Sequence, residues 1–165
     1  MTVVLARIDD RLIHGQVTVG WSRYLEPQRI LLCSNDVASD PWQAKVYASS
    51  VPPNMSVAIH DQRDTAVVLN AADSESCKTI LLTATPNDML QIIQAGVALP
   101  EINVGGMHFR KGKTELCEYV WLDRDDLVSL KSLLESGCRL YAQTVPGARE
   151  SEITSEALAA LEAQL

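Results

Sequence analysis

Short apolar runs alternate with segments of helical period along this chain. That alternation marks an α/β domain built on a mainly parallel sheet. Val3–Ile8 reads as the first strand, followed by a helix over Gly15–Leu25 that places Val17, Trp21 and Leu25 on one face. Arg29–Ser34 is a continuous apolar run suited to burial on both faces. Asp40 caps a helix that Pro41 opens, with Trp42 and Val46 as its apolar stripe and Pro52-Pro53 as its stop. Ser56–His60 is a third strand, Asp61–Ala72 a short helix and Thr79–Thr83 a fourth strand. Thr85 caps the next helix, with Asp88 in the capping-box position and an end near Gly96. Ile102–Val104 is a fifth strand closed by Gly105-Gly106, Arg110–Lys113 a turn or loop, and Tyr119–Leu122 a sixth strand. Asp123 starts a helix with Leu127, Leu130 and Leu134 inward, and Gly137 ends it. Arg139–Val145 is the last strand. Beyond a polar break at Pro146–Ser151, Thr154–Leu165 is an amphipathic helix with Leu158, Leu161 and Leu165 aligned. The break allows that helix to be a released tail or an oligomer contact. The expected architecture is a three-layer α/β/α single domain with a mainly parallel sheet of six to seven strands.

A chain of 165 residues fits one domain, and 47% apolar with 21% charged residues is the composition of a globular one. The net charge of −7 argues against a general nucleic-acid binder, and against a chain held on anionic lipid by charge alone. No stretch reaches the roughly 18 apolar residues that span a bilayer. Met1–Leu5 lacks the basic start of a signal peptide. Cys33, Cys77, Cys117 and Cys138 are far apart, and Cys33 sits in an apolar run as a buried thiol. These features place the protein in the cytoplasm. Trp21 and Trp42 read as helix residues facing the core, and Trp121 as buried in a strand.

Ligands of open parallel sheets bind outside the carboxyl ends of the strands. The loop after the first strand, running from Arg7 to Val17, is therefore the place for chemistry. Arg7 and Arg11 offer planar forks for phosphate oxygens, and Gly15 and Gln16 offer N–H groups at a helix start. His14 offers a ring nitrogen near neutral pH. Nucleophile, cationic clamps and helix start together make a site for accepting a phosphoryl group onto histidine. The arginines disfavour imidazolium and keep a lone pair free, while Asp9 and Asp10 pull the other way unless spent on the arginines. Asp9 accordingly reads as a brace for an arginine or the loop backbone, rather than a base.

Asp9-Asp10-Arg11-Leu12-Ile13-His14-Gly15-Gln16-Val17 resembles the active-site loop of the enzyme IIB components of the mannose/fructose/sorbose family of the bacterial phosphoenolpyruvate-dependent sugar phosphotransferase system (PTS). A second block, Ile102-Asn103-Val104-Gly105-Gly106-Met107-His108-Phe109 with the basic Arg110-Lys111-Gly112-Lys113 after it, is similar too. Smaller echoes are Asn35-Asp36, Ala95-Gly96-Val97 and Val145-Pro146. The resemblance implies a single IIB domain over residues 1–165, with 147–165 a C-terminal extension carrying a helix. It implies a protein Nπ-phosphohistidine–sugar phosphotransferase. His14 would take the phosphoryl group from a phosphohistidine of the IIA component, with Arg7 and Arg11 as phosphate ligands. The acceptor would be a hexose or amino-hexose carried by the membrane components IIC and IID. No metal or other cofactor is implied. No IIA domain precedes Met1, so the donor is expected as a separate chain.

Other features have competing readings. Arg110, Lys111 and Lys113 form the main remaining basic cluster, either a solvated turn or a partner-docking site. His60 and His108 stand at strand ends, too scattered for a metal site. Gly105-Gly106 is too short for a dinucleotide fingerprint. The alternatives to a phosphocarrier are a non-catalytic domain that binds a phosphorylated ligand, and a metal-dependent hydrolase. The last helix as an oligomer contact leaves a homo-oligomer open.

Overall fold

The computed structural model describes residues 1–71 and 77–164. The expected helix limit at Ala72 and the aligned Leu165 lie outside the described residues. The main sheet has seven strands: β1 (Thr2–Asp9), β2 (Arg29–Cys33), β3 (Ser56–His60), β4 (Lys78–Thr83), β5 (Glu101–Gly106), β8 (Arg139–Ala142) and β9 (Ser151–Glu152). Their order is β3-β2-β4-β1-β5-β8-β9, parallel throughout except for the last pair.

Helix α1 begins as a π-turn segment (Gln16–Trp21) and runs on as an α-helix (Ser22–Leu25). It shares one face of the sheet with α2 (Asn35–Ser39) and α3 (Pro41–Ser49). The other face carries α4 (Gln62–Asn70), α5 (Pro86–Gln94), α6 (Arg124–Glu135) and α7 (Ser155–Glu162). Alternate residues of the central strands feed two cores. Ile30, Leu32, Ile80 and Leu82 face α1, and Leu31, Leu81, Ile8, Ile102 and Val104 face the other helices. This is why those strands read as continuous apolar runs.

The expected fold class holds, and particular elements differ. Tyr119–Leu122 is not a sixth strand of the main sheet. Its core, β7 (Val120–Leu122), pairs antiparallel with β6 (Thr114–Cys117) in a separate hairpin. That hairpin is anchored on Met107, just past β5, whose N–H donates to Tyr119 and whose carbonyl accepts from Trp121. Apolar Val120 and Leu122 are fully buried there, so the periodicity was that of a buried strand in either place. The last long strand stops at Ala142, and the polar stretch after it returns as β9.

The final helix is neither a released tail nor an exposed contact. Leu158 and Leu161 are buried in the main core, and Lys131 of α6 pairs with Glu162 at 2.5 Å. Helix α3 has no buried residue, so the stripe expected of Trp42 and Val46 faces solvent, with Trp42 73% exposed. Trp21 is buried, and Trp121 is half-buried with Phe109 edge-on to it at 5.1 Å.

Candidate functional site

β1 lies in the middle of the sheet, between β4 and β5, where connections to the two sides diverge. A crevice at the carboxyl end of such a strand is the usual binding place in open α/β sheets. Side chains on β1 alternate, so Arg7 and Asp9 both point to the α1 face. Arg7 is fully buried there. Its Nη1 donates to Asn103 Oδ1 (2.6 Å) and to the Gln143 carbonyl (3.1 Å). Its Nη2 donates to Asp9 Oδ2 (2.7 Å) and Gln16 Oε1 (2.9 Å). Trp21 of α1 roofs the guanidinium at 5.9 Å. Burial pulls the Arg7 guanidinium down, opposed by the Asp9 carboxylate.

The space for Arg7 comes from Gly105 on the neighbouring strand. A Cβ there would lie 1.8 Å from the guanidinium carbon. The Gly105-Gly106 pair that closes β5 is therefore a socket for side chains from β1 and its loop. A Cβ on Gly106 would come within 3.1 Å of Arg11 Nη2.

The loop after β1 is wound tightly around Asp9. The Leu12 N–H donates to the Asp9 carbonyl (2.9 Å), and the Asp10 N–H to the Gly106 carbonyl (3.0 Å). Leu12 is buried with φ of 57°, a left-handed conformation that costs a non-glycine residue about 1–3 kcal/mol. Arg11 folds back over Asp9 as a fork: Nε donates to Oδ1 (3.0 Å) and Nη2 to Oδ2 (3.0 Å). The Arg11 side chain is 35% exposed, so this guanidinium reaches solvent while that of Arg7 does not. Burial pushes the Asp9 carboxyl up. The Arg11 hydrogen bonds and the charges of Arg7, His14 and Arg11 outweigh it, and the group stays below the usual carboxylate range.

His14 closes the group. Its Nδ1 lies 2.8 Å from the Leu12 carbonyl, an acceptor, so Nδ1 carries the proton. Nε2 is buried and without a hydrogen-bond partner, 3.6 Å from Asp9 Oδ2. Nδ1, the Nπ nitrogen, is in this conformation the engaged one. The His14 carbonyl accepts from the Val17 and Thr18 N–H groups, both at 2.9 Å, and α1 starts there. The N–H groups of Gly15 and Gln16 head that helix, where intrahelical acceptors are lacking.

The other sequence candidates separate. Arg7 was expected as an open fork for phosphate; its fork is instead filled by protein acceptors, because the Gly105 socket and Trp21 roof bury it. Asp9 sits as the brace of both arginines. Lys113, expected with Arg110 and Lys111 in a basic loop open to a partner, is instead 13% exposed, with Nζ 2.6 Å from Asp126 and 3.8 Å from Asp123, tying the hairpin to α6. Burial pushes the Asp126 carboxyl up, against the pull of Lys113. Arg110 and Lys111 are exposed on the loop. His108 is held by Asp10, through Nδ1 (2.6 Å) and its own N–H (2.8 Å), which ties the basic loop to the His14 loop. His60 ends β3 at the far edge of the sheet. Among the described residues no cluster of His, Cys, Asp and Glu is placed to hold a metal.

Sequence reasoning missed Asn103, Gln143 and Gly105. Asn103 was legible in part, as a polar residue inside an apolar strand beside the Gly pair.

The family described as PTS system sorbose subfamily IIB component matches residues 3–163. The chain belongs to that family. The match takes in the last helix. The sorbose-specific EIIB component of Lacticaseibacillus casei is 34% identical over 94% of this chain and 95% of its own. The mannose-specific EIIAB component of Escherichia coli is 34% identical over 88% of this chain, which spans 45% of that longer relative. The crystal structure of the IIBSor domain of the sorbose permease from Klebsiella pneumoniae superposes with a TM-score of 0.85 at 34% identity, covering 92% of this chain and 93% of that one. As a IIB component the chain serves sugar phosphotransfer by the PTS, which fits a histidine 3.6 Å from the carboxylate oxygen that two guanidiniums share. Among the described residues no helix is long and apolar enough to cross a membrane.

Proposed function

We propose that this IIB component is a cytoplasmic phosphocarrier that takes a phosphoryl group on His14 from a phosphohistidine of a IIA component. It then passes the group to a hexose or amino-hexose held by membrane components IIC and IID. The observation that carries this reading is the convergence of Arg7 Nη2 and Arg11 Nη2 on shared oxygens beside the His14 ring. The mannose-specific relative, whose name joins A and B components in one chain, supports a IIA donor.

In the transfer, a His14 ring nitrogen attacks phosphorus, a new N–P bond forms, and the N–P bond to the donor histidine breaks with its electron pair returning to the donor ring. Both His14 nitrogens are engaged or buried at rest, so the ring turns first. The ring leaves the Leu12 carbonyl and exchanges its Nδ1 proton through solvent for one on Nε2, which faces Asp9 Oδ2; the Nδ1 lone pair so freed attacks and gives the Nπ adduct. Asp9 then offsets the positive charge that the ring gains. Arg11, the exposed clamp, and Arg7, the buried one, keep their bonds to Asp9 and direct their Nη2 N–H groups at a phosphoryl oxygen. The N–H groups of Gly15 and Gln16 supply further donors.

Arg11→Lys keeps the charge and loses the fork, so phosphoryl acceptance slows by about 10²–10³-fold. Quenched-flow labelling with circular dichroism as fold control measures this, and a wild-type rate would make Arg11 structural. The exposed Arg110 and Lys111, next to the exposed Phe109, stand where partners approaching His14 pass. Arg110→Glu with Lys111→Glu slows transfer from the donor, and raised salt narrows the gap from wild type, because rim charges act on association. A salt-independent or absent effect would leave that loop a solvated turn.

The test of the function is incubation of the purified chain with labelled phosphoenolpyruvate, the general PTS components and IIA. A phosphocarrier gains acid-labile, base-stable label. A chain that only binds phosphorylated ligands stays unlabelled.

A further inference from the structure

The geometry points to Gln16 as a placeholder that keeps the phosphoryl position open between the two guanidiniums until the group arrives. This rests on the phosphocarrier reading and names a positioning role within it.

Gln16 Oε1 accepts from Arg7 Nη2 at 2.9 Å and from Arg11 Nη2 at 2.8 Å. The same two Nη2 atoms also donate to Asp9 Oδ2, at 2.7 and 3.0 Å. Two like-charged guanidiniums are thus held together by one carboxylate oxygen and one neutral amide oxygen. A pair of guanidinium N–H groups aimed at a single oxygen is the arrangement that binds an oxyanion. Of the two oxygens in place, only one is free to leave. Asp9 is fully buried on β1, and its Oδ1 is held by the Arg11 Nε and backbone N–H. Gln16 is half-buried on the first turn of α1, with a flexible side chain that offers the site one neutral acceptor. Charge-assisted hydrogen bonds are about twice as strong as neutral ones. An anionic phosphoryl oxygen therefore displaces the amide, and does so close to His14 on the same loop. In the resting site the amide spaces the guanidiniums correctly without the full charge that would bar a phosphoryl group.

The sign of the substitution separates this role from a structural one. In Gln16→Glu the carboxylate fills the oxygen position with full charge and holds it against phosphate. In Gln16→Ala the position is vacant and phosphate meets no competitor. Inorganic phosphate is titrated into wild type and both variants, read by the side-chain nitrogen NMR signals of the arginines and by the melting temperature. The expected order of phosphate affinity is Gln16→Ala above wild type above Gln16→Glu. Gln16→Glu also accepts label from the donor about a hundredfold more slowly than wild type. Equal phosphate responses in the three proteins, or weaker binding by Gln16→Ala than by wild type, would overturn the proposal. Labelling of Gln16→Glu at the wild-type rate would overturn it too. If Gln16→Glu does not fold, the comparison of Gln16→Ala with wild type still decides. A wild-type chain that takes no label sinks the phosphocarrier reading instead, and the phosphate titration still decides the role of Gln16 separately.

Discussion

His14→Ala loses all phosphoryl label, whereas His60→Ala and His108→Ala keep it. The three histidines differ in what surrounds them. His14 alone lies beside the convergence of two guanidiniums, with its ring aligned by the Leu12 carbonyl and its Nε2 facing Asp9. His60 ends an edge strand with two strands between it and β1. His108 is exposed, and its Nδ1 is engaged by Asp10. Its loss loosens the tie between the basic loop and the His14 loop without removing a nucleophile. Labelled phosphoenolpyruvate with the donor components, followed by gel separation under alkaline conditions, reads all three variants. Label on His14→Ala would place the phosphoryl group elsewhere and undo the site.

Gly105→Ala damages the fold and the chemistry together. The new methyl group would stand 1.8 Å from Arg7 Cζ, 2.0 Å from Nη2 and 2.2 Å from Nη1, so the guanidinium has to leave. Its departure breaks the bonds to Asn103, Gln143, Asp9 and Gln16, and leaves Asp9 buried with Arg11 as its main cation. Removing one partner of a buried ion pair costs about 3–5 kcal/mol. In a domain of this size, that lowers the melting temperature by roughly 6–20 °C. Phosphoryl acceptance falls by about 10²–10³-fold with the loss of one charged clamp. Gly15→Ala is the contrast for stability: nothing lies within 4 Å of a Cβ there, and the melting temperature stays near wild type. Thermal melts of the two variants side by side measure the difference. Wild-type melting in Gly105→Ala would mean that Arg7 has another place to go.

The parallel sheet was legible because its central strands are buried on both faces, so Ile30–Cys33 and Ile80–Leu82 show as unbroken apolar runs. Helices with side-chain caps were legible too: Asp40 and Thr85 accept the N–H bonds expected of them, and Asp123 and Thr154, where helices were expected to start, accept such bonds as well. What failed was assigning a strand to a sheet. Val120–Leu122 is apolar in the same way whether it joins the main sheet or a hairpin, and only the Met107 anchor decides. The edge strand β9 is two residues long and polar, below any periodicity. Trp42 and Val46 are spaced for burial, but α3 lies over the sheet with no side chain fully covered.

Within the site, the charged loop between β1 and α1 was visible as a cluster of arginines, acids and a histidine. The sequence could not show which arginine reaches solvent. Arg7 and Arg11 differ because Arg7 is on the strand, where the pleat turns it toward Gly105 and Trp21, and Arg11 is on the loop. A strand that ends in paired glycines is a place where a neighbouring side chain comes close. That signal stood in the sequence and was informative only once β5 was known to lie beside β1.

The most direct test follows the phosphoryl group off the protein. Phosphorylated chain is isolated and mixed first with free hexoses and amino-hexoses, then with membranes containing the IIC and IID components. The account predicts that the phosphoprotein persists with free sugar, and that membranes plus the cognate sugar discharge it to sugar phosphate. Rapid, sugar-specific discharge by free sugar in the absence of membranes would contradict it, and would make the chain a soluble sugar kinase.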